Sequence, residues 1–250
     1  MKKRLFLVLF SGFLMLCITG CGKHGEIHEY DEVVVFVNNM ECGSHDKHVS
    51  CNLNGKFELV DTNDETDYKG DPVRTYTLKH KEDGFSFDII SHYACTDGMS
   101  IDGSCNDYTC YLNGNDYYDK AGKYHIERFN EEFDLNNKLK NYSYDFYDTS
   151  IDSQKSFKVR TVDELSFVID YFNSYLDYVN GLDYKFFGFN SSLPFAIDFA
   201  NYGYVYGGFA VEMGENNKYI FKFNDEYYPD DKKLETYIYN YMNKNGIYLR

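Results

Sequence analysis

Along the chain, stretches in which every second residue is apolar give way to stretches with an apolar residue every three or four positions. The first period marks half-buried strands and the second marks amphipathic helices. Phe57 and Leu59 alternate with polar neighbours, residues 73–80 are rich in strand formers, and Phe85-Ser86-Phe87-Asp88-Ile89 alternates strictly. The Asp83-Gly84 pair in the polar segment 81–84 is a hairpin turn signal between the last two stretches. Tyr108, Cys110 and Leu112 alternate again before Asn113-Gly114. From residue 116 to 133, Tyr118, Ala121, Ile126, Phe129 and Phe133 recur at helical spacing, with Gly122 as a weak point. Two segments stay undecided or unstructured on this reading. Val33-Val34-Val35-Phe36-Val37 is apolar throughout, so its period assigns neither helix nor strand, and residues 61–71 are acidic and turn-rich, as in a solvated loop.

The second half opens with strand-like residues up to Val159. Thr161-Val162-Asp163-Glu164 is then a capping box, in which Thr161 caps the amide of Glu164 and Glu164 reciprocates. Val162, Leu165, Val168, Ile169, Phe172, Tyr175, Leu176 and Val179 then form one stripe, closed by Gly181. Strand-like stretches follow at 184–189, 202–213 and 218–224, the last two joined by the turn sequence Gly214-Glu215-Asn216-Asn217. A final helical stripe over 231–244 carries Leu234, Tyr237, Ile238, Tyr241 and Met242, with Gly246 as its stop. Strands joined by short turns, with helices at the ends of runs, predict an α+β fold built on antiparallel sheet. The division is either two small modules, 26–140 and 141–250, or one continuous domain over 26–250.

The N-terminus follows a different plan. Lys2, Lys3 and Arg4 precede an apolar run, 5–16, that is too short for a bilayer core, which takes about 20 residues. The junction Ile18-Thr19-Gly20-Cys21 resembles the lipobox of bacterial lipoproteins. That resemblance implies cleavage between Gly20 and Cys21, removal of 1–20 as a signal peptide, and a diacylglyceryl group on the Cys21 thiol. Residues 21–25 are then the lipidated cysteine and its tether, and the body is held at the extracytoplasmic face of the cell membrane. Two acyl chains suffice for durable anchoring where one does not.

Charge narrows the partners. Loss of Lys2, Lys3 and Arg4 takes the 25 basic residues to 22 against 40 acidic ones, moving the net charge from −15 to −18. Such a body is repelled by nucleic acid and by anionic headgroups, which leaves a surface protein, a peptide or a wall component. The 26 tyrosines and 21 phenylalanines, with no tryptophan, suit either a binding surface or a genome rich in AT codons, and the second reading is preferred.

Five cysteines remain beyond the anchor: Cys42, Cys51, Cys95, Cys105 and Cys110. Export permits disulfides, and an odd number allows at most two bridges within one chain. Cys42 with Cys51 closes a short polar loop, and Cys95 with Cys105 or Cys110 ties neighbouring strands. An alternative takes Cys42, His45, His48 and Cys51 as a tetrahedral zinc set, although four ligands within ten residues strain one loop and no cofactor is the preferred expectation. His80, His92 and His125 fall singly and read as structural or surface residues. Ser44 and Lys47 form a Ser-x-x-Lys without its Lys-Thr-Gly companion, and no Gly-x-Ser-x-Gly or His-Glu-x-x-His is present. The expectation is therefore a non-catalytic surface binding module, with a surface hydrolase or a metal-capturing lipoprotein as the alternatives.

Overall fold

The computed structural model describes residues 27–44, 47–68, 70–95, 108–114, 116–142, 147–151, 154–187, 195–199, 206–214, 216–223, 226–227 and 234–250. The basic and apolar N-terminal residues 1–20 and Cys21 lie outside them. The fold is α+β, and the chain divides into two compact units, each described by itself. In the first, residues 27–39 join 54–117; the second is Met40–Leu53 with Tyr118–Arg250.

The first unit is a four-stranded antiparallel sheet in the order β3-β4-β5-β6, formed by β3 (Phe57–Thr66), β4 (Pro72–His80), β5 (Ser86–Cys95) and β6 (Tyr108–Asn113). The predicted hairpin turn is present: His80 donates its N–H to the Phe85 carbonyl, and the Asp83 carboxylate accepts the Phe85 N–H at 2.9 Å. Gly84 takes φ +81°, a conformation a side chain resists. Phe57, Phe85, Phe87 and Tyr117 pack as one aromatic cluster, with Phe87 edge-on to Tyr117 at 4.7 Å.

Two segments differ from their sequence reading. The valine run is a helix, α1 (Tyr30–Asn38), with Val33 and Val37 buried one turn apart. Its start settles the ambiguity: the Glu32 carboxylate accepts the Glu29 N–H at 3.0 Å, and Asp31 and Glu32 lie in the first turn, where carboxylates favour a helix. The acidic segment 61–71 is not one long loop. Strand β3 continues to Thr66, paired residue by residue with β4 as far as Pro72, and the turn is confined to the residues between. Side chains from Val60 to Thr66 are exposed on both faces of the strand, so no apolar alternation marks it. An ion pair of Arg74 with Asp64, at 2.5 and 3.0 Å, spans the two strands where hydrophobic pairing is missing.

The second unit holds the hairpin β1 (Glu41–Ser44) and β2 (Lys47–Ser50) and a six-stranded sheet in the order β12-β11-β10-β9-β8-β7. Those strands are β7 (Tyr147–Ile151), β8 (Gln154–Lys158), β9 (Phe195–Asp198), β10 (Tyr206–Met213), β11 (Tyr219–Phe223) and β12 (Glu226–Tyr227). One pair departs from the antiparallel expectation: β8 and β9 run parallel. A long helix intervenes between them, and a chain that crosses a sheet through a helix can pair its strands in the same direction. Of the strand-like stretch 184–189, the described residues 184–187 join no ladder, and the Lys185 N–H bonds instead to the Cys51 carbonyl.

The helices are α2 (Asp116–Glu132), the short α3 (Leu135–Lys138), α4 (Val162–Gly181) and α5 (Leu234–Lys244). Helix α4 begins and ends where its cap and stripe predict. Thr161 Oγ1 accepts the Glu164 N–H at 3.2 Å, and Glu164 Oε2 accepts the N–H groups of Thr161 and Arg160 at 3.0 and 2.6 Å. Leu165, Val168, Tyr171, Phe172, Tyr175 and Val179 are buried, whereas Val162, counted in the stripe, is exposed in the first turn; Phe172 meets Phe221 of β11 edge-on at 5.8 Å. After α5, Gly246 adopts φ +65°, and the chain folds back so that Arg250 N–H reaches the Arg160 carbonyl at 3.3 Å. Among the described residues no helix is long and apolar enough to cross a membrane.

Glu164 is the more demanding half of the cap, because it is buried and satisfies two donors. Thr161→Ala is expected to lower stability by about 1 kcal/mol and Glu164→Ala by about 2–3 kcal/mol in urea unfolding. Equal, negligible losses would show that α4 is held by its apolar stripe alone.

Candidate functional site

The sequence candidates fall on different elements. Cys42 of β1 and Cys51, just after β2, form a disulfide across nine positions of chain, and both are fully buried. The bonded sulfurs offer no thiolate, so in this state the zinc set of Cys42, His45, His48 and Cys51 lacks two of its four ligands. His45 lies outside the described residues, as does the His48 side chain. Among the described residues, no group of three or more His, Cys, Asp or Glu side chains is arranged to hold a metal ion. Cys105 also lies outside them. Cys95 stands opposite Tyr108 and Cys110 opposite Tyr93 in the β5–β6 ladder, and Cys110 is a buried free thiol.

The disulfide loop is tied into the second unit at several points. Cys51 donates its N–H to the Met40 carbonyl at 2.9 Å, and its own carbonyl accepts the Lys185 N–H at 2.8 Å. Asn52, at φ +59°, turns its side-chain amide to the Asp183 carbonyl, and Tyr118 OH donates to the Glu41 carbonyl at 2.7 Å. The left-handed backbone at Asn52 aims that amide, and asparagine tolerates the conformation. The cross-link therefore fixes a polar loop against 183–185.

Beside it lies a buried polar network that single-residue inspection missed. His125, on α2, is fully buried, with Nδ1 2.9 Å from Tyr178 OH and Nε2 2.5 Å from Tyr184 OH. Its ring stacks on Phe186 at 4.8 Å. Tyr219 OH accepts the Phe186 N–H at 3.0 Å, while the Asn180 side chain brackets the Tyr219 backbone, accepting its N–H at 2.7 Å and donating to its carbonyl at 3.0 Å. Removal from water pushes the phenols of Tyr175 and Tyr219 well above their ordinary value. Desolvation, aided by the charge of Lys218, lowers the Lys185 ammonium, which sits over the Tyr219 ring at 4.6 Å.

Among the described residues of the first unit, two histidine–carboxylate pairs occur. His80 Nδ1 lies 2.8 Å from Asp83 Oδ1 inside the β4–β5 turn, with its ring against Phe57 at 5.0 Å. His28 Nδ1 lies 3.0 Å from Glu32 Oε2, its Nε2 is 3.3 Å from the Cys110 carbonyl oxygen, and its N–H donates to Ser91 Oγ at 3.0 Å. Ser91 Oγ and Cys110 Sγ are 3.3 Å apart. A nucleophile and its base must share a hydrogen bond through the reacting atom. Here the His28 ring meets Cys110 at its main-chain carbonyl, and Ser91 Oγ is met by the His28 backbone N–H rather than by the ring. The cluster pins the residues before α1 against β5 and β6.

The chain matches no family model, no curated protein and no solved structure.

Two outcomes follow. Replacing Cys42 and Cys51 together by serine should lower the urea-unfolding free energy by about 2–3 kcal/mol, since the bridge restricts the unfolded loop; a change below about 0.5 kcal/mol would contradict this. Stability should also fall as pH rises. Tyr175 and Tyr219 remain protonated in the folded chain, whereas unfolded tyrosine ionises at its ordinary 10.0, so the unfolded state loses protons first and gains on the folded one. The contribution is complete below pH 10 and is lost upward from there. Tyr175→Phe should flatten that decline in urea midpoints measured from pH 8 to pH 11, and an unchanged slope would refute the assignment.

Proposed function

We propose that this chain is a lipid-anchored lipoprotein of the extracytoplasmic face whose body is a non-catalytic binding module. The observation that carries the reading is the fully buried Cys42–Cys51 bond. Structural disulfides belong to oxidising compartments, the environment that export through a lipobox supplies. The Ile18-Thr19-Gly20-Cys21 junction supports cleavage before Cys21 and a diacylglyceryl anchor there, with residues 22–25 as the tether. The net charge of the body, once the basic N-terminus is removed, favours a protein, peptide or wall partner over nucleic acid.

The non-catalytic half of the reading is supported by how the reactive groups are placed. Each histidine–carboxylate pair engages its ring within a turn or against the main chain, and Cys110 and Ser91 face one another in the core of a sheet.

The test is expression of the full chain in a bacterial host fed labelled palmitate. The protein should carry the label and sediment with membranes. Cys21→Ala should lose both, with the label falling to background. Equal labelling and sedimentation of the Cys21→Ala chain would overturn the anchor.

A further inference from the structure

Within the first unit, the sheet order leaves β3 at an edge, since β4 covers one of its sides and no other described strand pairs with it. It is ten residues long, and from Val60 to Thr66 both of its faces are exposed. In an antiparallel ladder, alternate residues turn both N–H and C=O to the same neighbour, so about half of these groups point away from β4. An edge of this length is a template for an added strand. Its one irregularity is a register shift between Leu59 and Asp61; beyond it the ladder is regular for six pairs, from Asp61↔Thr77 to Thr66↔Pro72.

The side chains say which strand it suits. Glu58, Asp61, Asp64 and Glu65 lie on β3, and the strand holds no lysine or arginine. Arg74 takes up Asp64, holding its carboxyl below the ordinary value chiefly through their hydrogen bond. Glu58 stands opposite Lys79 in the ladder, whereas among the described residues Asp61 and Glu65 form no ion pair; Asp61 accepts the Thr62 N–H at 2.8 Å and Glu65 accepts from the Asn63 side chain at 2.6 Å. Two copies of this edge laid together would set carboxylates against carboxylates, which disfavours self-pairing. A strand carrying lysine or arginine meets complementary charge along the same edge.

We infer that the outer edge of β3 is a docking strand for a basic, extended segment of a partner protein, which adds to the sheet beyond Phe57–Thr66. This rests on the binding-module reading and names its partner class. Backbone pairing supplies the attachment, and the exposed carboxylates of Glu58, Asp61 and Glu65 supply the preference.

The experiment uses the full chain in detergent and a labelled ten-residue peptide of alternating lysine and threonine, followed by fluorescence anisotropy. Saturable binding is expected, weakening with added salt. A peptide N-methylated at every amide keeps its charge but cannot donate to the edge, and it should bind at least about tenfold more weakly. The exposed pair E58K/E65K should lose a similar factor with an unchanged circular dichroism spectrum, and E58Q/E65Q serves where reversal disturbs the fold. No binding, equal binding of the N-methylated peptide (adsorption by charge alone) or equal binding by the variants would each overturn the proposal. So would a stable dimer of the chain held through β3. None of these outcomes touches the lipid anchor, which palmitate labelling reads separately.

Discussion

A buried phenol must find a partner for its hydroxyl, and this chain buries many of them. Removing a hydroxyl from water without a hydrogen bond costs several tenths to several kcal/mol, so a core rich in tyrosine is stable only if it carries its own polar wiring. Among the described residues, the ten largest fully buried side chains are all tyrosine or phenylalanine, five of each. The wiring comes from single polar residues placed among them. His125 serves Tyr178 and Tyr184, Asn130 accepts from Tyr171 at 2.6 Å, and the backbone of Phe186 donates to Tyr219. These buried rings bring large apolar area together with directional bonds.

The same constraint explains the part played by Met40–Leu53. This segment is remote in sequence from 183–187, yet its disulfide-closed loop bonds to that stretch at Asp183 and Lys185. The stretch in turn presents Tyr184, Phe186 and Phe187 to His125 and Tyr219. The cross-link therefore acts on the tyrosine network through one short length of chain. A redox environment that left Cys42 and Cys51 reduced would loosen the piece that positions the network, so this core suits an oxidising compartment.

How much of this was legible depended on whether a local signal matched the final environment. Helix α4 was readable to the residue, because its capping box and its apolar stripe agree, and the turns at 81–84 and 214–217 announced themselves through Gly, Asp and Asn. The α+β class followed from them. The valine run was not readable, since helix and strand bury such a run equally well, and only the Glu29–Glu32 contact decides it. The end of β3 was invisible for a different reason. A strand exposed on both faces has no alternation, and its partner's Arg74 is ten positions away. The parallel β8–β9 pair was hidden by distance, with all of α4 between the strands. For the site, the spacing of Cys42 and Cys51 indicated a bridge but equally allowed a metal. The role of His125 could not be read, because its tyrosine partners lie more than fifty residues away.

An oxidised, lipid-anchored body held together by a wired aromatic core is the claim on which the rest depends. Its most direct test is the intact mass of the chain isolated from the membranes of an expressing bacterium, without reductant. The account predicts a polypeptide beginning at Cys21, heavier by a diacylglyceryl group and two hydrogens lighter for Cys42–Cys51, the latter restored on reduction. A mass corresponding to the whole chain from Met1, with Cys21 unmodified and every thiol free, would contradict it.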